Sequence, residues 1–279
     1  MISILLRTLF TNSSSDYGRA EPRARIAGVA FAGAIACTAT PASAADPKPD
    51  FSIKAKWVEA SVILDAGIKA EPALAANCLA EGKAWATKNK ADADKERKQD
   101  PDLFRNAWSY ERKYETRSVI DGRYISIIRA DYEYTGGAHP NSASDTILWD
   151  KSVGKRISIR PFFTETADNG PTMKAMRQGV ITSLEAEKKK RGVEGTDASA
   201  IEAIEPKLLK IGPVSLAPSI EQGKSSGLTF HYSPYAVGSY AEGGYVAFVP
   251  WEKLKPYLTA EGVKIFGGAR PKDDENRPQ

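Results

Sequence analysis

Two histidines and two cysteines are all that this chain offers for thiol or imidazole chemistry. His139 sits in "EYTGGAHPN" (Glu133 to Asn141), wedged between a Gly-Gly pair and a proline. Three roles fit a histidine in that setting. Gly136 and Gly137 turn the chain sharply, Pro140 fixes it, and the imidazole bonds nearby backbone as a turn lock. A glycine-rich loop also lets a partner approach the backbone closely, which makes His139 a ligand contact. The third role is a general base, which needs an orienting carboxylate, and Asp145 and Glu133 are the nearest in sequence. His231, in "GLTFHYS", lies 92 positions further on. The two imidazoles could meet in space, but a zinc site would still need carboxylates. Neither H-x-x-x-H nor C-x-x-C occurs, and no phosphate loop does. A serine–histidine pair assembled only by folding is not expected here, although spacing cannot reveal one.

The elements that must hold these residues follow from periodicity. "PDFSIKAKWVEA" alternates and reads as an opening strand. A helix is expected from about Glu71 to Lys88, with Pro72 in its first turn and Leu74, Cys78 and Trp85 on one face. That placement makes Cys78 a buried thiol. The charged stretch "KNKADADKERKQD" reads as a solvated helix end and loop. From Asn106 two long alternating runs meet at Asp121-Gly122, a hairpin signal. On the second run Tyr124, Ser126, Ile128, Ala130, Tyr132 and Tyr134 share a face, while Ile125 and Ile127 point the other way. "SDTILWD" and "KRISIRPFF" turn at Gly154 and complete a four-stranded antiparallel meander. A helix follows over Pro171 to Lys190, with Met173, Met176, Val180 and Leu184 on its apolar face and Asp168 or Asn169 as its cap. Its basic end suits the helix dipole. "TDASAIEAIEPKLL" reads as a shorter helix, and three more strands and a short helix at Trp251 to Leu258 close the fold. The class expected is α+β: an antiparallel sheet of hairpin-connected strands with packed helices, and a second strand group at the C-terminus.

Composition bounds the setting. At 279 residues and 42% hydrophobic the chain can bury a core. Residues 1–44 read as a signal peptide: Arg19, Arg23 and Arg25 precede the apolar run "IAGVAFAGAIACTAT", which ends in "PASAA". Its upstream stretch is long for such a leader, so a start codon after Met1 is expected. Cleavage after Ala44 would leave one cysteine, hence no internal disulfide. Cys37, in a poor lipobox "AIAC", offers lipid anchoring as the second ending. The address expected is the periplasm, with no later span long enough for a bilayer. With 39 basic against 35 acidic side chains the chain is too balanced to argue for nucleic acid, whose binders carry a concentrated basic surface.

The stretch "YTGGAHPNSASDTILWDKSVGKRISIRPFF" resembles the core signature of the RsiV/PdaC-like extracytoplasmic domain family. That signature has a Gly-Gly-Ala-His-Pro turn, a polar and aromatic strand, a Gly-Lys turn and a strand ending in Phe. Further on, "FHYSPYAVGSYAEGG" and "FVPWEKL" resemble the family's C-terminal tyrosine and Pro-x-x-x-Leu features, so the likeness spans roughly Trp108 to Leu258. It divides the chain into a PdaC-like strand and helix region (45–105), an RsiV-like region packed with it (106–262) and a disordered tail (263–279). In RsiV-type proteins the exported domain recognises lysozyme; in PdaC-type proteins the deacetylase chemistry belongs to a separate domain. The sequence lacks the sigma-binding segment and membrane helix of the former and the enzyme domain of the latter. What the resemblance implies is an exported recognition protein for a lysozyme-like hydrolase or an envelope glycan, with no cofactor, metal or catalytic residue. Its expected contact residues are Tyr134, Gly136, Gly137, His139, Pro140, Asn141, Tyr235 and Tyr240, with Tyr132 as a further exposed aromatic. The competing expectation is a hydrolase of envelope polymers that uses His139 with Asp145 or Glu133.

Overall fold

Asp121 and Gly122 both take positive φ, 52° and 61°, the backbone of a two-residue hairpin turn whose twist matches its strands. They join β3 (Trp108–Ile120) to β4 (Tyr124–Tyr134), and β5 (Asn141–Asp150) and β6 (Lys155–Ile157) continue the antiparallel meander. This computed structural model describes residues 47–193, 200 and 203–275. The leader, with Cys37, lies outside the described residues, as does most of the front half of the short helix expected in "TDASAIEAIEPKLL".

The opening segment is a hairpin where a single strand was expected. β1 (Phe51–Lys54) pairs antiparallel with β2 (Val58–Leu64), which lies parallel to β3. A parallel neighbour needs a crossover, and α1 (Ala66–Lys69) and α2 (Pro72–Gln99) supply it. The six-stranded sheet therefore runs in order β1-β2-β3-β4-β5-β6, straight across the expected boundary at residue 105. α2 continues to Gln99 because its charged half pairs along the helix, Lys88 with Asp92 and Lys90 with Asp94. Its inner face buries Leu74, Cys78, Ala86 and Ala93. Gly82 allows the close approach, since a Cβ there would lie 2.5 Å from a Val62 methyl carbon. Cys78 is a free, buried thiol whose pKa burial pushes up to about 11.

Both faces of the sheet are covered in part, and a bulge in β3 decides which residues go where. Tyr110 and Tyr114 pack with Ile125, Ile127, Ile147 and Trp149 in the core beneath α2. Between Thr116 and Ser118 the pairing slips, which sends Ile120 to the opposite face with Tyr124 and Leu148. There the second sheet begins: β7 (Val214–Leu216), β8 (Gly227–Tyr232) and β9 (Tyr245–Pro250), antiparallel in that order. The outer edge of β7 has serines in place of a strand. The amide of Leu216 donates to Ser126 Oγ, and Ser118 Oγ donates to the Leu216 carbonyl.

α3 (Pro171–Lys190) packs Met173, Met176, Val180 and Leu184 into this second core. Its N-cap is Gly170, without a side-chain bond, in place of Asp168 or Asn169. Asn169 instead takes φ 62° to turn the chain into the helix. Three short helices follow, α4 (Trp251–Leu254), α5 (Ala260–Ile265) and α6 (Lys272–Glu275). The expectation of a disordered tail from 263 is corrected as far as 275: Phe266 is buried, and so is Asp274, whose carboxylate is held by Arg117 and Arg270. The polar composition misled because these charges neutralise one another inside the protein. The result is a mixed α+β fold with a curled six-stranded sheet and a smaller antiparallel sheet near the C-terminus. No helix among the described residues is long and apolar enough to cross a membrane.

Candidate functional site

The turn between β4 and β5 and the loop after β8 meet at one corner. Gly136 takes φ 82°, a conformation that suits glycine, and a Cβ there would stand 3.4 Å from the Leu103 carbonyl oxygen. Beyond it the His139 ring folds back on its own chain, with Nδ1 3.0 Å from the Pro140 carbonyl oxygen. A carbonyl only accepts, so Nδ1 carries the proton, and in the neutral ring Nε2 is left as the acceptor. Tyr235 OH lies at 3.5 Å from Nε2, a long contact. The Tyr240 ring stacks on the imidazole at 3.8 Å between centroids and 20° between planes. Its hydroxyl donates to the same Pro140 carbonyl at 2.9 Å. Ser233 ties the two loops together by accepting the amide of Ser144 on β5 at 2.8 Å.

His139, Tyr235 and Tyr240 thus form a three-ring corner on the surface. Tyr235 is the outermost, 62% exposed and itself at φ 71°. The other candidates lie around it with different duties. Asn141 pairs with Glu133 across the strands at 3.4 Å. Tyr134 is half-buried at the end of β4, opposite Ser109, and takes no part in the ring cluster. Tyr132, two residues earlier, is exposed on the sheet face. Gly137 has an ordinary φ and only supplies slack in the turn.

The acid–base arrangement expected of a hydrolase is not assembled at this corner. Asp145 accepts from Arg129 at 2.8 Å and from the Thr146 amide at 2.7 Å. Arg129 also binds Glu81 on α2, within a network that includes Arg156 and Tyr114. Glu133 faces Asn141. Among the described residues no carboxylate bonds His139, and no cluster of three or more His, Cys, Asp or Glu could hold a metal ion.

Two solved structures that the chain matches are DUF3298 family proteins, the family of the RsiV/PdaC-type domain. One is from Pseudomonas aeruginosa: 17% identity, TM-score 0.40, covering 57% of this chain and 65% of that one. The other is from Bacteroides fragilis: 17% identity, TM-score 0.41, covering 69% and 71%. The chain therefore spans just under two thirds of the first of these. No family model matches the chain, and no curated protein does.

His231 does not join His139. It is buried on β8, where Nε2 stands 2.9 Å from Ser215 Oγ. This is a serine–histidine pair that only folding brings together, and sequence spacing carried no signal of it. Both members are buried, 1% exposed for Ser215 and 7% for His231. Burial, and then the positive charge of Arg117, hold the His231 pKa down at about 4. Residues Gly223 to Gly227, "GKSSG", also spell G-x-S-x-G, a pattern expected to be absent. Ser225 is no exposed nucleophile: it is buried, and its hydroxyl donates to the Gly227 carbonyl at 2.8 Å.

Proposed function

We propose that this chain is an exported, non-catalytic recognition protein of the cell envelope. Its ligand is a lysozyme-like hydrolase or an envelope glycan, gripped at the corner of His139, Tyr235 and Tyr240. One observation carries this reading. Rings from two distant stretches of sequence converge at the surface, while the polar atoms of His139 turn to its own backbone and to a tyrosine. Exposed rings in a fixed geometry offer contact area at little entropic cost. An imidazole spent on a carbonyl, with no carboxylate behind it, is poorly set for proton transfer. Periplasmic residence rests on the leader pattern of residues 1–44.

The test is direct binding of the purified chain to lysozyme and to soluble peptidoglycan fragments, measured by calorimetry. Binding to one of the two is expected, weakened about tenfold or more when Tyr235 and Tyr240 are both changed to alanine. Unchanged affinity in that variant would remove the corner from the reading. An envelope hydrolase activity lost in His139→Ala at unchanged melting temperature would establish the enzyme instead.

A further inference from the structure

The face of the large sheet turned away from α2 is open above the second sheet, and its residues fall in straight cross-strand rows. The register places Ser52 opposite Ser61, Ser61 opposite Glu111, Glu111 opposite Tyr132, and Tyr132 opposite Ser142. Five adjacent strands each give one side chain to this row. At about 4.8 Å per strand it extends for roughly 19 Å. A groove of about 340 Å³ opens on it, lined by Ser52, Ser61, Ser109, Glu111 and Tyr132 among others. Tyr132 is 41% exposed, a ring presented from the fourth of the row's five strands. The row ends at Ser142, two residues from the Pro140 carbonyl that holds His139 and Tyr240.

The chemistry of the row narrows its occupant. Strand addition by a peptide needs unpaired backbone, which the row offers only at its two ends, because β2, β3 and β4 are inner strands bonded on both sides. A polyanion needs uncompensated cations. Here Lys113 pairs with Glu111 at 2.8 Å, and Lys54 lies opposite Glu59. A greasy partner needs a continuous apolar floor, whereas here Ile53, Ala60 and Tyr110 are interrupted by serines and by Glu59 and Glu111. Hydroxyls at strand spacing, one carboxylate acceptor and an exposed aromatic face together fit a ligand with many hydroxyls and a flat C–H face. Lys113, already paired with Glu111, offers an acidic sugar no counter-charge. We propose that the row from Ser52 to Ser142 binds an extended, uncharged oligosaccharide, with Tyr132 stacking on one sugar and Glu111 accepting from its hydroxyls. This rests on the envelope-recognition reading and extends it by choosing the glycan and giving it a track that leads to the aromatic corner.

Calorimetry of the purified chain with hexa-N-acetylchitohexaose and cellohexaose, both neutral, and with an acidic oligogalacturonide decides the matter. One neutral hexasaccharide is expected to bind, the acidic one more weakly. Tyr132→Ala and the isosteric Glu111→Gln should each weaken it about tenfold, with the melting temperature held near that of the parent. Glu111→Gln also serves if Tyr132→Ala fails to fold. If both variants bind the sugar as the parent does while the Tyr235/Tyr240 double variant does not, the row is wrong and the corner stands. Failure of every neutral hexasaccharide to bind also overturns the row, and binding of lysozyme at the corner would survive that result. Preference for the acidic sugar would overturn the assignment of an uncharged ligand.

Discussion

His231 faces a buried serine in the field of Arg117, Asp274 and Arg270, whereas His139 lies on the surface between two tyrosines. The same side chain serves opposite ends in the two places. Around His231 the polar groups are largely buried, so the cost of disturbing them falls on stability. Around His139 little is buried, so the cost of disturbance should fall on whatever the corner touches. The difference supplies a scale: variants of the inner cluster should unfold the protein, and variants of the corner should leave it folded and alter binding.

The largest effect is expected at Asp274. Its carboxylate is buried between the guanidinium groups of Arg117, whose side chain is buried with it, and Arg270, which is half-buried. Asp274→Ala would leave those cations without their shared partner, a loss of about 3–5 kcal/mol for a broken buried pair. Denaturant unfolding should show this loss, while Asp273→Ala, at an exposed neighbour, should cost almost nothing. Equal midpoints for the two variants would mean that the C-terminal segment is dispensable to the fold.

Next comes pH. In the unfolded chain a histidine takes its proton near pH 6.5, but in the fold His231 does so only near pH 4. Between these values the unfolded state binds more protons, so stability rises with pH across that window. The contribution is complete above pH 6.5 and is lost as pH falls toward 4, of order 3 kcal/mol in all. Ser215, Thr229, Arg117, Arg270 and Asp274 lie around the ring or near it; of the charged three, Asp274 alone favours the imidazolium. His231→Gln should flatten the stability profile between pH 6.5 and 4. A profile already flat in the parent would show that His231 is not held neutral.

Much of the scaffold was legible because it is local. The hairpin at Asp121-Gly122 follows from turn chemistry, the bounds of α3 from Pro171 and the spacing of its methionines, and the buried thiol from the face it shares with Leu74. The split between Tyr124 and Ile125 onto opposite faces was legible from period two alone. What escaped depends on pairing between distant segments. Arg117 reads as an ordinary strand residue until the bulge at Thr116–Ser118 re-aims it inward. The tail reads as solvated until that arginine is known to await Asp274. α2 ran past Lys88 because lysine–aspartate pairs at helical spacing stabilise a stretch that otherwise resembles loop. At the corner, the motif marked His139, Tyr235 and Tyr240 separately. That Tyr240 stacks on the imidazole, and that Asp145 is occupied by Arg129 instead, are facts of tertiary packing.

A smaller effect should separate the two glycines of the turn. Gly136 sits at φ 82°, so an alanine there is strained by about 1–2 kcal/mol. Gly137 has an ordinary φ, and a Cβ there would meet nothing nearer than 3.9 Å, so Gly137→Ala should be close to neutral. Thermal melts of the pair would check this. Identical melts would show that the turn relaxes freely, and the corner would then lose its claim to a fixed geometry.

The smallest effect on stability, and the most informative about function, is expected for His139→Ala. The imidazole is exposed. Its polar contacts are the Pro140 carbonyl at 3.0 Å and a long one to Tyr235. The carbonyl keeps its bond from Tyr240 OH when the imidazole is gone, so no buried group is stranded. The stability lost should be at most about 1 kcal/mol, the net worth of one hydrogen bond. The effect on recognition should be larger, because the Tyr240 ring stacks face to face on the imidazole at 3.8 Å and loses that support. Tyr235, the exposed ring, would lose its contact as well, and the half-buried Tyr240 would be held by its hydroxyl alone. A binding surface that depends on ordered rings then pays for their ordering when the ligand arrives. His139→Phe keeps a flat ring under Tyr240 but removes both nitrogens, and it should recover part of the affinity that His139→Ala loses. If His139→Ala instead unfolds the protein as Asp274→Ala does, the exposed histidine belongs with the buried one as part of the fold, and the contrast between them fails.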